Sequence, residues 1–295
     1  MSLIQAWLQS LATFIGILSL GAVPFSAKMA IAAFVPSDST TKSIETAASQ
    51  SDQRNSVLCP ESLSSTIDTI IQVPAFSTSR WGILVEPLSA SEPLYSYQED
   101  DFLIPASNIK LLTTAAALKT LDTRQPYNSS SIREQVRVIN LNSDNRSADA
   151  LLRYLGGPYV IKDILTPLGI NPNSYRQVDG SGLSRYNMAT ASTFVAVLKA
   201  MHRDEEGNIF HASLPIAGTS GTLRYRFQNT SVQGQLRAKT GTLRGVRALS
   251  GFLEHPDYEV LVFSIMVNQP NQSGQVLLGA IDQIVLRLSQ LRSCD

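Results

Sequence analysis

The 295 residues are 43% hydrophobic and 16% charged, with 24 basic and 24 acidic side chains and a formal net charge of zero. That suffices for one large core, and it leaves no basic run or excess of the kind a nucleic-acid partner needs. The three histidines, His202, His211 and His255, are scattered and have no cysteine nearby, so neither a metal nor another cofactor is expected.

Leu3 to Ala27 carries no charged side chain, and Lys28 is the first. Residues 1–35 therefore read as a signal peptide, with Ala30-Ile31-Ala32 as a cleavage site, or as a retained membrane anchor. Residues 36–57 are rich in Ser and Thr and contain no aromatic residue, which predicts a flexible linker. The folded domain is expected over 58–295.

Within it, Pro60–Gln72 reads as a helix with Leu63, Ile67, Ile70 and Ile71 on one side. Arg80–Pro87 and Leu94–Tyr97 read as strands joined by a turn at Ser89–Pro93. Pro105–Leu121 is apolar almost throughout beyond Lys110, the pattern of a buried helix. Helices follow at Ile132–Ile139, at Ser147–Leu155 before Gly156-Gly157, from Pro158 to Leu168 before Gly169, and at Met188–Met201. Gln235–Thr242, Arg247–Leu253 and Tyr258–Asn268 read as strands, the last apolar on both faces and hence central. Gln275–Leu291 closes as an amphipathic helix. Two strand groups bracketing a helical block predict an α/β domain of the α+β kind. It has one antiparallel sheet with helices on both faces and a helical subdomain over about residues 105–230. Cys59 and Cys294 lie at either end of this domain, as one bridge or as two unpaired thiols.

Ser107 and Lys110 are three positions apart, so they share one face of the buried helix. Burial and the helix dipole both disfavour Lys⁺, and a neutral lysine can take the Ser107 proton as the oxygen attacks a carbonyl. The spacing alone is weak, since Ser39–Lys42 repeats it in the linker. Two further motifs strengthen it: Ser143-Asp144-Asn145 between two predicted helices, and Lys239-Thr240-Gly241-Thr242 on a predicted strand. By themselves these read as a capping turn and an edge strand with a bulge glycine.

Ser-x-x-Lys, Ser-Asp-Asn and Lys-Thr-Gly, in this order, form the set shared by class A β-lactamases and penicillin-binding proteins. An acyl transfer needs a nucleophile, a base, a proton donor for the leaving amine and an oxyanion site. Ser107 would attack, Lys110 accept its proton, and Ser143 relay that proton to the leaving nitrogen. Asn145 would hold the substrate amide and orient Lys110. Lys239, Thr240 and Thr242, spaced by Gly241, would receive a substrate carboxylate. The backbone N–H groups of Ser107 and Thr242 are the candidate oxyanion donors.

The sequence resembles the penicillin-binding D-alanyl-D-alanine carboxypeptidase/endopeptidase family of low-molecular-mass class C. The matching segments are RWGILVE at 80–86, PASNIKLLTTAAAL at 105–118, NLNSDNRSADALL at 140–152, VDGSGLSRYN at 178–187, LPIAGTSGTLRYRF at 214–227 and AKTGTLRGVRALSGF at 238–252. The resemblance implies a serine β-lactamase/DD-transpeptidase-like fold and a periplasmic or envelope enzyme. It implies action on the D-Ala-D-Ala ends, or the cross-links, of peptidoglycan stem peptides, and acylation of Ser107 by β-lactam antibiotics. Family members usually carry long extra domains between the first two motifs, whereas here Ser107 and Ser143 are 36 positions apart. Two alternatives stay open. One is a β-lactamase or esterase of the same fold, although no Glu-x-x-Leu-Asn pattern is present and Glu205-Glu206 falls in a polar turn. The other is a non-catalytic peptidoglycan-binding envelope protein. Asp179–Gly182 and Gly218–Arg224 read as glycine turns or as cleft walls. Arg244 and Arg247 read as solvent-facing strand residues or as aids to carboxylate binding.

Overall fold

The computed structural model describes residues 58–90, 92–122, 126–127 and 130–294; the expected N-terminal signal peptide or anchor (1–35) and linker (36–57) lie outside them. In chain order the elements are α1 (Pro60–Ile71), β1 (Arg80–Pro87), β2 (Tyr95–Tyr97), α2 (Lys110–Thr120), β3 (Pro126–Tyr127), β4 (Ser130–Ser131), α3 (Ile132–Leu141), α4 (Asn145–Tyr154), α5 (Pro158–Leu165), β5 (Tyr175–Arg176), β6 (Met188–Ala189), α6 (Ala191–His202), α7 (Gly207–Ser213), β7 (Leu236–Leu243), β8 (Val246–His255), β9 (Glu259–Asn268) and α8 (Gly274–Leu288).

The main sheet has the order β2-β1-β9-β8-β7, with every neighbouring pair antiparallel. β9 is central, as its two apolar faces predict. Phe263, Ile265 and Val267 turn to a core built by α1 and α8, and Val262 and Met266 turn to a core built by α2 to α7. The α+β fold with an antiparallel sheet between helical layers is therefore as expected. The helical block closes with Ser213, and Ala217, Leu223, Phe227 and Val232 join the α1/α8 core on the opposite face.

Local chemistry sets the helix ends. The Ser131 hydroxyl accepts from Glu134 N at the start of α3, and Asp144 Oδ1 accepts from Ser147 N at the start of α4. The expected helix over Met188–Met201 is shorter. Met188–Ala189 pairs with β5, and extended Thr190 caps α6 by accepting from Thr193 N, so the helix begins at Ala191. The expected helix over Pro105–Leu121 is also split. Ala106–Ile109 forms a 3₁₀ turn, and α2 proper begins at Lys110. Apolar pattern does not distinguish these two helix types, because both bury the same side chains. α7 forms over Gly207–Ser213, where the sequence reading places no element. The last helix stops at Leu288, because Leu291 instead bridges to Leu58. Beside that bridge Cys59 and Cys294 form a disulfide, which fastens the start of α1 to the chain after α8.

Candidate active site

The 3₁₀ turn that carries Ser107 sits against β7, and glycine makes that approach possible. A Cβ on Gly241 would lie 2.6 Å from Pro105 O and 2.9 Å from Ala248 Cβ. Buried Asn108 donates to Ser250 Oγ at 2.6 Å, and Ser250 meets Ser264 at 2.8 Å, so the turn is tied to β8 and β9. Ala106, just before the serine, holds φ +48°, a left-handed conformation that L-residues rarely adopt. From the other side comes the loop 179–184. Gly182, at φ +84°, leaves no room for a Cβ, which would lie 2.1 Å from Ala106 O. Ser107 is thus clamped between an edge strand and a loop.

Lys110 is 0% exposed. Its Nζ lies 2.9 Å from Ser107 Oγ and 2.8 Å from Asn145 Oδ1, and it also donates to Ser181 O. Two of these partners are carbonyl oxygens, which only accept. They take two N–H bonds of the amine, so the third direction points at the Ser107 hydroxyl. In a neutral amine that direction is the lone pair. Burial pulls the Lys110 pKa down to about 8, against the opposing pull of Asp149, Asp179 and Asp144. Neutral Lys110 is therefore accessible near physiological pH.

Lys239 is also fully buried. Its Nζ donates to Ser143 Oγ at 2.9 Å and to Thr240 O at 3.0 Å. Burial first, and then the charge of Lys110, hold its pKa well below the usual lysine range. Ser143 stands at φ +57° in the loop between α3 and α4, which turns it toward β7. Two lysine–serine pairs, Lys110–Ser107 and Lys239–Ser143, thus come together from α2, the 3₁₀ turn, the α3–α4 loop and β7. Asn145, the first residue of α4, joins them.

These groups open on a cavity of about 290 Å³ lined by Ser107, Ser143, Asn145, Thr240, Gly241 and Thr242. The sequence-derived site residues therefore converge, with the two buried amines, Lys110 and Lys239, behind Ser107 and Ser143 and outside the cavity lining. Of Arg244 and Arg247, read as solvent-facing strand residues or as aids to carboxylate binding, Arg247 is half-buried and lines it, and Arg244 is exposed. Thr222, of the Gly218–Arg224 run, also lines it, as do Arg226, Leu278 and Ile281, which were not singled out from sequence as site residues. Arg226 is paired with Asp282, and Thr240 Oγ1 donates to Thr222 Oγ1 at 2.8 Å. Leu278 and Ile281 belong to an ordinary amphipathic helix, so no local signal marks them. Of the two glycine runs, Gly218–Arg224 reaches the cavity through Thr222, while Asp179–Gly182 meets Lys110 through Ser181 O and only the following residue, Leu183, lines the cavity. Among the described residues no group of three or more His, Cys, Asp or Glu side chains is arranged to hold a metal ion.

The edge of β7 completes the cavity. Ala238 donates its N–H to Pro215 O, away from β8. The two-residue period of a strand turns the N–H groups of Thr240 and Thr242 to the same outer edge, beside Ser107.

Comparison with solved structures places this arrangement on a known fold. Penicillin binding protein 4 (dacB) from Haemophilus influenzae superposes with a TM-score of 0.64 at 15% identity, covering 75% of this chain and 98% of that one. A class A β-lactamase from Clostridium kluyveri gives 0.61 at 17% identity, covering 76% and 98%. In sequence, an Actinomadura D-alanyl-D-alanine carboxypeptidase is 37% identical over 164 residues, 50% of this chain and 30% of the relative. Carboxypeptidase DacB of Mycolicibacterium smegmatis is 34% identical over 183 residues, 56% of this chain and 38% of the relative. The chain thus spans roughly a third of the length of these curated relatives. The D-Ala-D-Ala carboxypeptidase 3 (S13) family matches over residues 63–130 and 126–291, which takes in all three motifs and nearly the whole described domain. On that extent of match, the chain is a member of the D-Ala-D-Ala carboxypeptidase 3 (S13) family.

Proposed function

We propose that this protein is a serine-type D-Ala-D-Ala carboxypeptidase that acts on peptidoglycan stem peptides through an acyl-enzyme on Ser107, and that β-lactams acylate the same oxygen. The observation that carries this reading is the buried Lys110 amine, 2.9 Å from Ser107 Oγ, with its other two bonding directions occupied by carbonyl oxygens.

A D-Ala-D-Ala terminus offers a scissile amide, a neighbouring carboxylate and a small methyl group. The hydroxyls of Thr240 and Thr242, with Arg247 and Arg226 behind them, suit the carboxylate, and the apolar wall of Leu278 and Ile281 suits the methyl group. The peptide lies along the Thr240–Thr242 part of the outer edge of β7. Ser107 Oγ attacks the amide carbon and passes its proton to Lys110 Nζ. The developing oxyanion sits between the N–H groups of Ser107 and Thr242; one such donor is typically worth about 10²–10³ in rate. The C–N bond then breaks as the leaving nitrogen takes the Ser143 hydroxyl proton and Ser143 takes in its place the proton that Lys110 received, which returns Lys110 to its neutral form; Lys239 Nζ, 2.9 Å from Ser143 Oγ, orients that hydroxyl. D-Alanine leaves, and water activated by Lys110 hydrolyses the ester.

The Cys59–Cys294 bridge supports an oxidising compartment, hence the periplasm or cell envelope. Among the described residues no helix is long and apolar enough to cross a membrane. Export would rest on residues 1–35 as a signal peptide or anchor, with 36–57 as linker and 58–295 as the peptidase domain.

Purified protein should form a covalent adduct with a fluorescent penicillin and release D-alanine from a pentapeptide, and Ser107→Ala should do neither. A wild-type protein that remains unlabelled would overturn the assignment.

A further inference from the structure

Lys110 donates hydrogen bonds to two walls of the site, and one helix controls both. Asn145 and Asp149 stand four residues apart on α4, so they share one face. Asn145 meets Lys110 directly. Asp149 meets the backbone of the loop that supplies the other carbonyl: its Oδ1 accepts from Gly180 N at 2.9 Å and from Ser181 N at 2.8 Å. We propose that Asp149 is a positioning residue for acylation, whose carboxylate fixes the Ser181 carbonyl where it holds the Lys110 amine against Ser107. The proposal rests on the reading of Ser107 as nucleophile and Lys110 as base.

Three features support it. The Ser181 carbonyl accepts from Lys110 Nζ and stands 3.3 Å from Ser107 Oγ, so a rotation of that peptide would disturb both groups. The loop is seated directly on α4, since a Cβ on Gly180 would lie 2.2 Å from Ala148 O. The neighbouring Asp179 is spent within the loop, accepting from Gly182 N, Ser184 N and Asn187 Nδ2. Asp179 thus shapes the loop, while Asp149 registers it against the helix that also carries Asn145.

The same carboxylate has an electrostatic consequence. The charged groups around Lys110 are Asp149, Asp179 and Asp144, which favour its ammonium form, and Lys239, which opposes it. Loss of the Asp149 charge moves the acid limb of acylation to lower pH, while loss of its oxygen loosens the Ser181 carbonyl. The two effects separate in two variants. Asp149→Asn keeps an oxygen that can accept both N–H bonds but discards the charge. Asp149→Ala discards both.

The test is the second-order rate of labelling by a fluorescent penicillin from pH 5 to 10, with initial binding and acylation resolved by rapid mixing and folding checked by circular dichroism. Folded Asp149→Ala should acylate slower by about 10²-fold, the cost of an ångström-scale misplacement, with its initial binding of penicillin unchanged. Asp149→Asn should lose less at high pH, with its acid limb shifted to lower pH. If Asp149→Ala does not fold, the Asp149→Asn profile decides alone. A wild type that labels while both variants label at its rate and with its pH limb would overturn the proposal. A wild type that fails to label would instead overturn the assignment of Ser107 and Lys110.

Discussion

The pH dependence of acylation gives the sharpest test of the Lys110 assignment. The Lys110 pKa of about 8 means that near pH 7 about one-tenth of the molecules carry the neutral amine, at pH 8 about half, and at pH 9 about nine-tenths. Only the neutral form has a lone pair to receive the Ser107 proton. The rate of penicillin acylation should therefore rise about ninefold from pH 6 to 7, about fivefold from 7 to 8 and less than twofold from 8 to 9. Lys110→Arg tests the same point at constant pH. Arginine keeps its proton beyond about pH 12 and cannot act as base, so the limb should vanish and the rate should drop by about 10²–10⁴. Because Lys239 is also pulled down by burial, the variant is needed to assign the limb. Stopped-flow labelling with a fluorescent penicillin reads both. A flat profile between pH 6 and 9, together with Lys110→Arg within tenfold of wild type, would refute the argument.

Three other outcomes follow from the packing. The Cys59–Cys294 bridge closes a loop of 235 positions, for which the chain-entropy relation gives about 5 kcal/mol; Cys59→Ser should lower stability by up to that amount in urea titration. A fall below about 1 kcal/mol would contradict this. Gly241→Ala would force a Cβ against Pro105 O and Ala248, costing about 1–3 kcal/mol or displacing the Ser107 turn, so thermal midpoint, penicillin labelling or both should fall. Burial, with Arg237 and His202 nearby, brings His211 down from 6.5 to about 4. Its neutral form is favoured in the fold, so this contribution is present above pH 6.5 and is lost as pH falls toward 4. The urea midpoint of His211→Gln should depend less steeply on pH across that window than wild type; equal slopes would remove His211 from the account.

Much of the site and the sheet was legible in the chain, because periodicity and short motifs are local properties. Tyr258–Asn268 is apolar at successive positions, and only a strand covered on both faces can use such a run, so β9 fell at the centre. Leu63, Ile67 and Ile71 repeat every four residues and produced α1 as read. Ser107, Lys110, Ser143, Asn145 and the Lys239–Thr242 run stand out because a nucleophile, a base and a carboxylate cradle demand those side chains at those spacings. Boundaries set by a single cap or turn were read less well. Thr190 stops the Met188 strand pair from continuing as helix, and a 3₁₀ turn replaces the first turn of the Ser107 helix.

What only the tertiary structure decided is where distant groups meet. Ser181 reaches Lys110 through a backbone carbonyl, which any residue type would supply, so nothing in its identity announces the contact. Lys239 is expected from sequence to supply positive charge for a substrate carboxylate, and only the fold shows that its Nζ also meets the Ser143 hydroxyl. Arg226 reaches the cavity from the segment before β7, paired with Asp282 of α8, and Arg247 reaches it from β8, while Leu278 and Ile281 look in sequence like any other residues of an amphipathic helix. The chain by itself determined which chemistry is available and which elements carry it. Its folding decided the order in which those groups touch, because hydrogen bonds and desolvation act across space between residues that sequence separates by tens of positions.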